Sequence, residues 1–174
     1  MTAFGPDASP DGTMVSSAGS LSFNQAVRHD SVPFSWSTWS HGYAGNVYDT
    51  GSSLDPTTLI LIMAQPVLAF DFYVEPVNFG NFTFTATAQD GTTSSQVVNG
   101  SGGASGFGFF SSGLNLISSI TVTTTDSDGF AIGEFGVNGN ASVPEGGSSF
   151  GYLSLILVLM WVFRFVVRRN EAKA

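Results

Sequence analysis

The sequence predicts an all-β protein, an antiparallel β-sandwich of jelly-roll-like type over residues 21–137, followed by one C-terminal transmembrane helix. Two observations predict the sandwich. Short segments rich in β-branched and aromatic residues recur between Gly, Asp, Asn and Ser turn signals, and no stretch of the body has the 3.6-residue period of an amphipathic helix. The third observation predicts the helix: Phe150 to Phe163 carries no charge and leads directly into Arg164, Arg168 and Arg169.

Residues 1–20 hold Asp, Pro, Gly and Ser without periodicity and read as a flexible lead-in. Leu21 to Val27 is a first strand. The next stretch, Arg28 to Tyr43, gathers both histidines, two of the three tryptophans and the only base of the body. Trp36 and Trp39 are three residues apart, so on a strand they would face opposite sides, one toward the core and one toward solvent. Thr57 to Met63 is a continuous apolar run bounded by Asp55-Pro56 and Gln65-Pro66, which suits a buried strand.

From Leu68 to Glu75 the period is two. Leu68, Phe70, Phe72 and Val74 form one face and Ala69, Asp71, Tyr73 and Glu75 the other. After a turn over Pro76 to Gly80, Phe82, Phe84, Ala86 and Ala88 alternate with Thr83, Thr85, Thr87 and Gln89. Asp90-Gly91, ahead of Thr92 to Val98, is a hairpin signal. Asn99 to Gly106 is a glycine-rich loop, but it lacks the strand-to-helix setting and the lysine that a phosphate-binding loop requires. Phe107 to Phe110, Leu116 to Thr124 and Gly129 to Val137 complete about eight strands, the last two joined by Asp126-Ser127-Asp128-Gly129.

Residues 138–149 form a linker, 150–167 a membrane span and 168–174 a basic cytoplasmic tail. The uncharged run is shorter than a bilayer asks for. Allowing Arg164 to snorkel extends it to Val167, about 27 Å of helix at ~1.5 Å per residue. A buried core helix would show a polar face, whereas only Tyr152 and Ser154 interrupt this one. Phe150, Leu155, Leu157, Trp161 and Phe163 would contact lipid, and Arg164, Arg168 and Arg169 would anchor the end of the span.

The 174 residues carry a net charge of −8 that hides a division. Residues 1–163 hold twelve acids against Arg28 alone, and residues 164–174 hold four bases against Glu171. Basic residues beyond a span favour the cytoplasmic side, which puts the acidic body outside the cytoplasm. Such a body repels nucleic acid. With no cysteine, the chain offers no disulfide, thiolate metal site or thiol nucleophile. Residues 1–20 have neither the basic nor the apolar region of a signal peptide, so the expectation is a true start upstream of Met1. Insertion as a tail anchor is the alternative, and it would leave the body in the cytoplasm.

The end of the chain resembles a PEP-CTERM protein-sorting signal. That pattern joins a Val-Pro-Glu-Pro-like motif, a transmembrane helix and a basic cluster, matched here by Val143-Pro144-Glu145, Phe150 to Val167, and Arg164, Arg168 and Arg169. Gly146 stands where the commonest form has a second proline, so Val143 to Ser148 resembles the Val-Pro-Glu-Gly-Gly-Ser variant. The resemblance implies export through a signal peptide and recognition by an exosortase, a membrane transpeptidase that cuts near the motif. Delivery to the cell surface or an exopolysaccharide matrix would follow. Independently of the name, Pro144, Glu145, Gly146 and Gly147 do not continue a helix and leave an extended segment that a protease can grip. Ser37 to Tyr43, Asn81 to Gly91 and Asp126 to Gly136 resemble domains found on such proteins, which implies an extracellular β-sandwich of unassigned activity.

Candidate chemistry in the body is sparse. Asp126, Asp128 and Gly129 form an acidic turn of the kind that can hold calcium, although the twelve-residue EF-hand spacing is absent and Asp-Gly is also ordinary turn chemistry. His29, Asp30 and His41 lack the spacing of zinc hydrolases and no Gly-x-Ser-x-Gly elbow accompanies them. Glu75 and Glu134 are isolated carboxylates, and a glycosidase would need two facing each other. Asn81, Asn99 and Asn140 begin Asn-x-Ser/Thr triplets, a weak signal without a known glycosylation machinery. Trp36, Trp39, Tyr43 and Tyr48 form an aromatic group that either packs in the core or stacks on sugar rings. The sequence therefore reads as a non-enzymatic surface protein without a resident cofactor. Its expected partners are membrane lipid, an exosortase by resemblance and extracellular polysaccharide.

Overall fold

The computed structural model of the chain describes residues 2–3, 14–16, 19–112 and 115–139. The sorting motif, the membrane span and the basic tail lie outside the described residues. Among the described residues eleven strands are present: β1 (Thr2–Ala3), β2 (Met14–Ser16), β3 (Gly19–Phe23), β4 (Arg28–Ser31), β5 (Asn46–Asp49), β6 (Thr58–Pro76), β7 (Asn81–Ala88), β8 (Thr93–Asn99), β9 (Ser105–Phe110), β10 (Ile117–Thr124) and β11 (Phe130–Gly139). Among the described residues no helix is long and apolar enough to cross a membrane.

All strands join one antiparallel sheet with the path β4-β5-β11-β6-β10-β7-β8, curled into a half-barrel. The curl is built on β6. The apolar run at 57–63 and the alternating run at 68–75, expected as two strands, are one strand of 19 residues. Its first part pairs with β3 and β10 through residues 58–63, and β10 continues past a register shift to pair Ile117 with Val67. Its second part pairs with β11 and β9 through residues 67–76. Ala64, Gln65 and Pro66 have no partner in either ladder. Proline has no N–H to donate, so Pro66 is tolerated in a central strand because it falls in this gap, where the strand passes between two sets of neighbours.

The arms on either side of the gap share one core. Leu59 and Leu61 from the first part of β6 meet Phe70, Phe72 and Val74 from the second, together with Phe84, Ile120, Val122, Phe130 and Ile132. Phe72 stacks on Phe107 at 5.5 Å and 9°, and Phe84 meets Phe130 edge-on at 5.5 Å and 87°. These are the two arrangements that the ring quadrupole favours. The period-two faces read at 68–75 and 82–88 place Phe70, Phe72, Val74, Phe84, Ala86 and Ala88 inside. The Asp90-Gly91 hairpin is present, with Gly91 at φ +88° and its N–H donating to the Ala88 carbonyl at 2.9 Å.

A second, smaller apolar layer lies on the outer face of β5, β11 and the second part of β6. Val32, Val47 and Ala131 are buried there beneath Trp36, Trp39 and Tyr43. The segment that covers this face, residues 32–45 between β4 and β5, positions the candidate site.

Candidate functional site

The 32–45 segment is a loop, not a strand, and this corrects the expected fate of its tryptophans. Its base is closed by Val32 N–H donating to the Gly45 carbonyl at 2.9 Å. Phe34 and Ser35 N–H groups turn back on the Ser31 carbonyl, each at 2.9 Å. Lying along the sheet, the loop directs both indoles toward it, so Trp36 and Trp39 are both half-buried instead of one inside and one outside. An alternation argument applies only to a strand, which is why it fails here.

Two glutamates on the covered face fix the two indoles. Trp36 Nε1 donates to Glu75 Oε2 at 2.9 Å, and Thr38 Oγ1 donates to Glu75 Oε1 at 2.5 Å. Trp39 Nε1 donates to Glu134 Oε2 at 3.2 Å, while His41 Nε2 lies 2.7 Å from Glu134 Oε1. Glu75, on the strand face opposite Phe70, Phe72 and Val74, is nevertheless fully buried. Burial raises its pKa, opposed by the bonds from Thr38 and Trp36.

Glu134 reaches the loop through a local distortion of β11. The register with β6 slips between Gly133 and Gly136, and Glu134 itself sits at φ +54°. A bulge of this kind re-aims a side chain that a regular strand would send elsewhere. The partner residue His41 is also left-handed at φ +42° and is followed by Gly42 at φ +75°. Left-handed backbone is costly for a residue with a Cβ, and surrounding contacts must hold it. The His41–Glu134 contact and the His41 ring 5.0 Å from Tyr73 supply them on one side.

The predicted aromatic group divides. Trp39 and Tyr43 pack against each other at 5.9 Å, and Tyr43 OH donates to the Asn46 carbonyl at 2.9 Å. Desolvation raises the Tyr43 pKa, and the charge of Glu134 adds to the rise. Tyr48 points into the main core. Trp36 alone of the four lines a cleft of about 160 Å³, whose other wall is the Pro76, Val77 and Phe79 turn after β6. Arg28 stands at its rim, paired through Nε with Asp30 and through Nη2 with Asp49, each at 2.8 Å.

The remaining candidates have separate partners. Asp126 is fully buried and accepts from Asn78 N–H at 2.9 Å and Asn78 Nδ2 at 2.8 Å. Asp128 Oδ2 accepts from Asn78 Nδ2 at 2.7 Å. The acidic turn thus clamps the β6–β7 turn, and among the described residues no three His, Asp or Glu side chains are grouped to hold a metal. His29 lies against Tyr48 at 5.5 Å, whereas His41 is held by Glu134.

Sequence reasoning missed three members of this region: Phe79, Asn78 and Thr38. An aromatic residue inside Pro76-Val-Asn-Phe-Gly80, otherwise turn chemistry, was the signal available for Phe79. Nothing local marks Asn78 as the partner of a residue 48 positions away. No family model and no curated protein matches this chain.

Proposed function

We propose that the chain is an exported, non-enzymatic bacterial surface or extracellular-matrix protein. A jelly-roll-like sandwich would be delivered by a PEP-CTERM-like sorting segment, held by a membrane span over 150–167 and released by exosortase cleavage near Pro144 and Glu145. The observation that carries this reading is the order of Val143-Pro144-Glu145, the uncharged run Phe150 to Phe163 and the basic cluster Arg164, Arg168 and Arg169, behind a body holding one base. An all-β body with a continuous apolar core is compatible with a cargo domain. The test is fractionation of the native cells. Wild-type chain is expected at the cell surface or in the matrix, and chain lacking residues 143–174 in neither. Equal surface display of the truncated chain would sink the proposal, and an intracellular body on a membrane-held chain would favour a plain tail anchor.

A second reading, binding of extracellular carbohydrate by the body, is favoured by one specific observation. Trp36 is held in a fixed orientation by Glu75 at the edge of an open cleft, as a sugar-stacking ring requires.

A further inference from the structure

The Trp36 cleft has two fixed walls. On one side, the bonds from Trp36 and Thr38 to the buried Glu75 hold the 36–38 segment. On the other, Asn78 is held through its backbone N–H and side-chain amide by Asp126 and Asp128, so the turn carrying Phe79 is tied down from below. Phe79 is nevertheless 75% exposed, an apolar ring held out into water by a turn that has little freedom to withdraw it. Gly100 lies beneath. A Cβ there would run into the Asn78 carbonyl oxygen, and the Gly100 N–H donates to the Gly80 carbonyl at 2.9 Å. Only glycine permits that approach, which brings the 99–104 loop against the turn and leaves the cleft without a side chain at this point.

The chemistry of the lining selects the ligand. Trp36 and Phe79 present aromatic carbon, Pro76 and Val77 add apolar surface, and Ser37 and Thr38 add hydroxyls. Arg28 is answered by two buried aspartates, and both oxygens of Glu75 are taken by Trp36 and Thr38. The cleft therefore offers neither an unpaired cation for an acidic ligand nor an unpaired carboxylate for a basic one. The acidic body disfavours polyanions further. A ligand with an apolar ring face, many neutral hydroxyls and no charge matches this lining. The small volume admits one ring at a time.

We infer that the cleft between Trp36 and Phe79 binds a single pyranose unit of a neutral polysaccharide. The inference rests on the carbohydrate-binding reading and moves its site away from Trp39 and Tyr43, whose rings and polar atoms are engaged within the loop layer. Because both walls are fixed before binding, little ordering cost opposes association.

Affinity electrophoresis of the detergent-solubilised full chain would test it, through gels containing dextran, galactomannan, mixed-linkage β-glucan or polygalacturonate. The expected result is retardation by at least one neutral polymer and not by polygalacturonate. Phe79→Ala should weaken that retardation about tenfold, as loss of one aromatic contact does. Phe79 is exposed, so its truncation leaves the core intact, and Tyr43→Phe should leave retardation unchanged. Retardation that survives Phe79→Ala, whatever Tyr43→Phe does, would overturn the assignment of the cleft and leave carbohydrate binding standing. Absence of retardation by every neutral polymer would overturn both.

Discussion

Glu75 is the residue on which the outer loop depends. Replacing it by alanine leaves the Trp36 indole N–H and the Thr38 hydroxyl without their acceptor, and each orphaned group in a partly buried site costs about 1–3 kcal/mol. The expected outcome is a loss of about 2 kcal/mol in urea unfolding, with Trp36 fluorescence shifted to the red. Glu75→Gln, which can still accept from Trp36, should lose less. The two proteins should also differ in pH dependence. Burial raises the Glu75 pKa, so the folded state favours the neutral acid. Its contribution is fully present below the unfolded carboxylate range and is lost as pH rises through the folded value. The stability of the wild type relative to Glu75→Gln should therefore be greatest in acid and shrink toward neutral pH. A constant difference in melting temperature between pH 4 and pH 8 would contradict this. Asp55 and Asp90 have lowered pKa values through bonds from Thr57 and Thr92, respectively, and their opposite trend cancels in the comparison. None of this was legible in the sequence, because Glu75 and Trp36 are 39 positions apart and alternation alone puts Glu75 on the face opposite Phe70, Phe72 and Val74.

Among the elements, β6 follows from local residue patterns and the 32–45 loop from contacts distant in sequence. The two halves of β6 were legible as apolar and alternating runs because their burial pattern is local. Their continuity was not, since Pro66 signals a break unless the exchange of partners at residues 64–66 is known. Phe72, central to β6, is fully buried and stacked on Phe107, so Phe72→Ala should cost about 3–5 kcal/mol in urea unfolding. The strands β4 and β5 escaped notice because their short sequences, RHDS and NVYD, pair with each other and with β11 without a hydrophobic run of their own. The loop between them packs against the glycine-rich 99–104 segment. Gly103 lies at φ +85°, and a Cβ there would stand 2.9 Å from the Trp39 carbonyl carbon. Gly103→Ala combines a left-handed backbone with this clash and should cost at least about 1–2 kcal/mol. Gly108→Ala, with open space at its Cβ position, is the control expected to cost less.

For the whole molecule, the sequence separates destination from activity. The division between an acidic body and a basic end is a property of composition, visible without any fold. The cleft between Trp36 and Phe79 needs the sheet to curl and two turns, whose aromatic residues are 43 positions apart in sequence, to meet. A sorted surface protein and a binder of neutral glycans are compatible roles, since delivery to a matrix would bring the cleft to its polymer. Delivery with processing is decided by the intact mass of the mature protein purified from its native cells. The expected C-terminus lies between Val143 and Ser149. A membrane-embedded protein ending at Ala174 would contradict it.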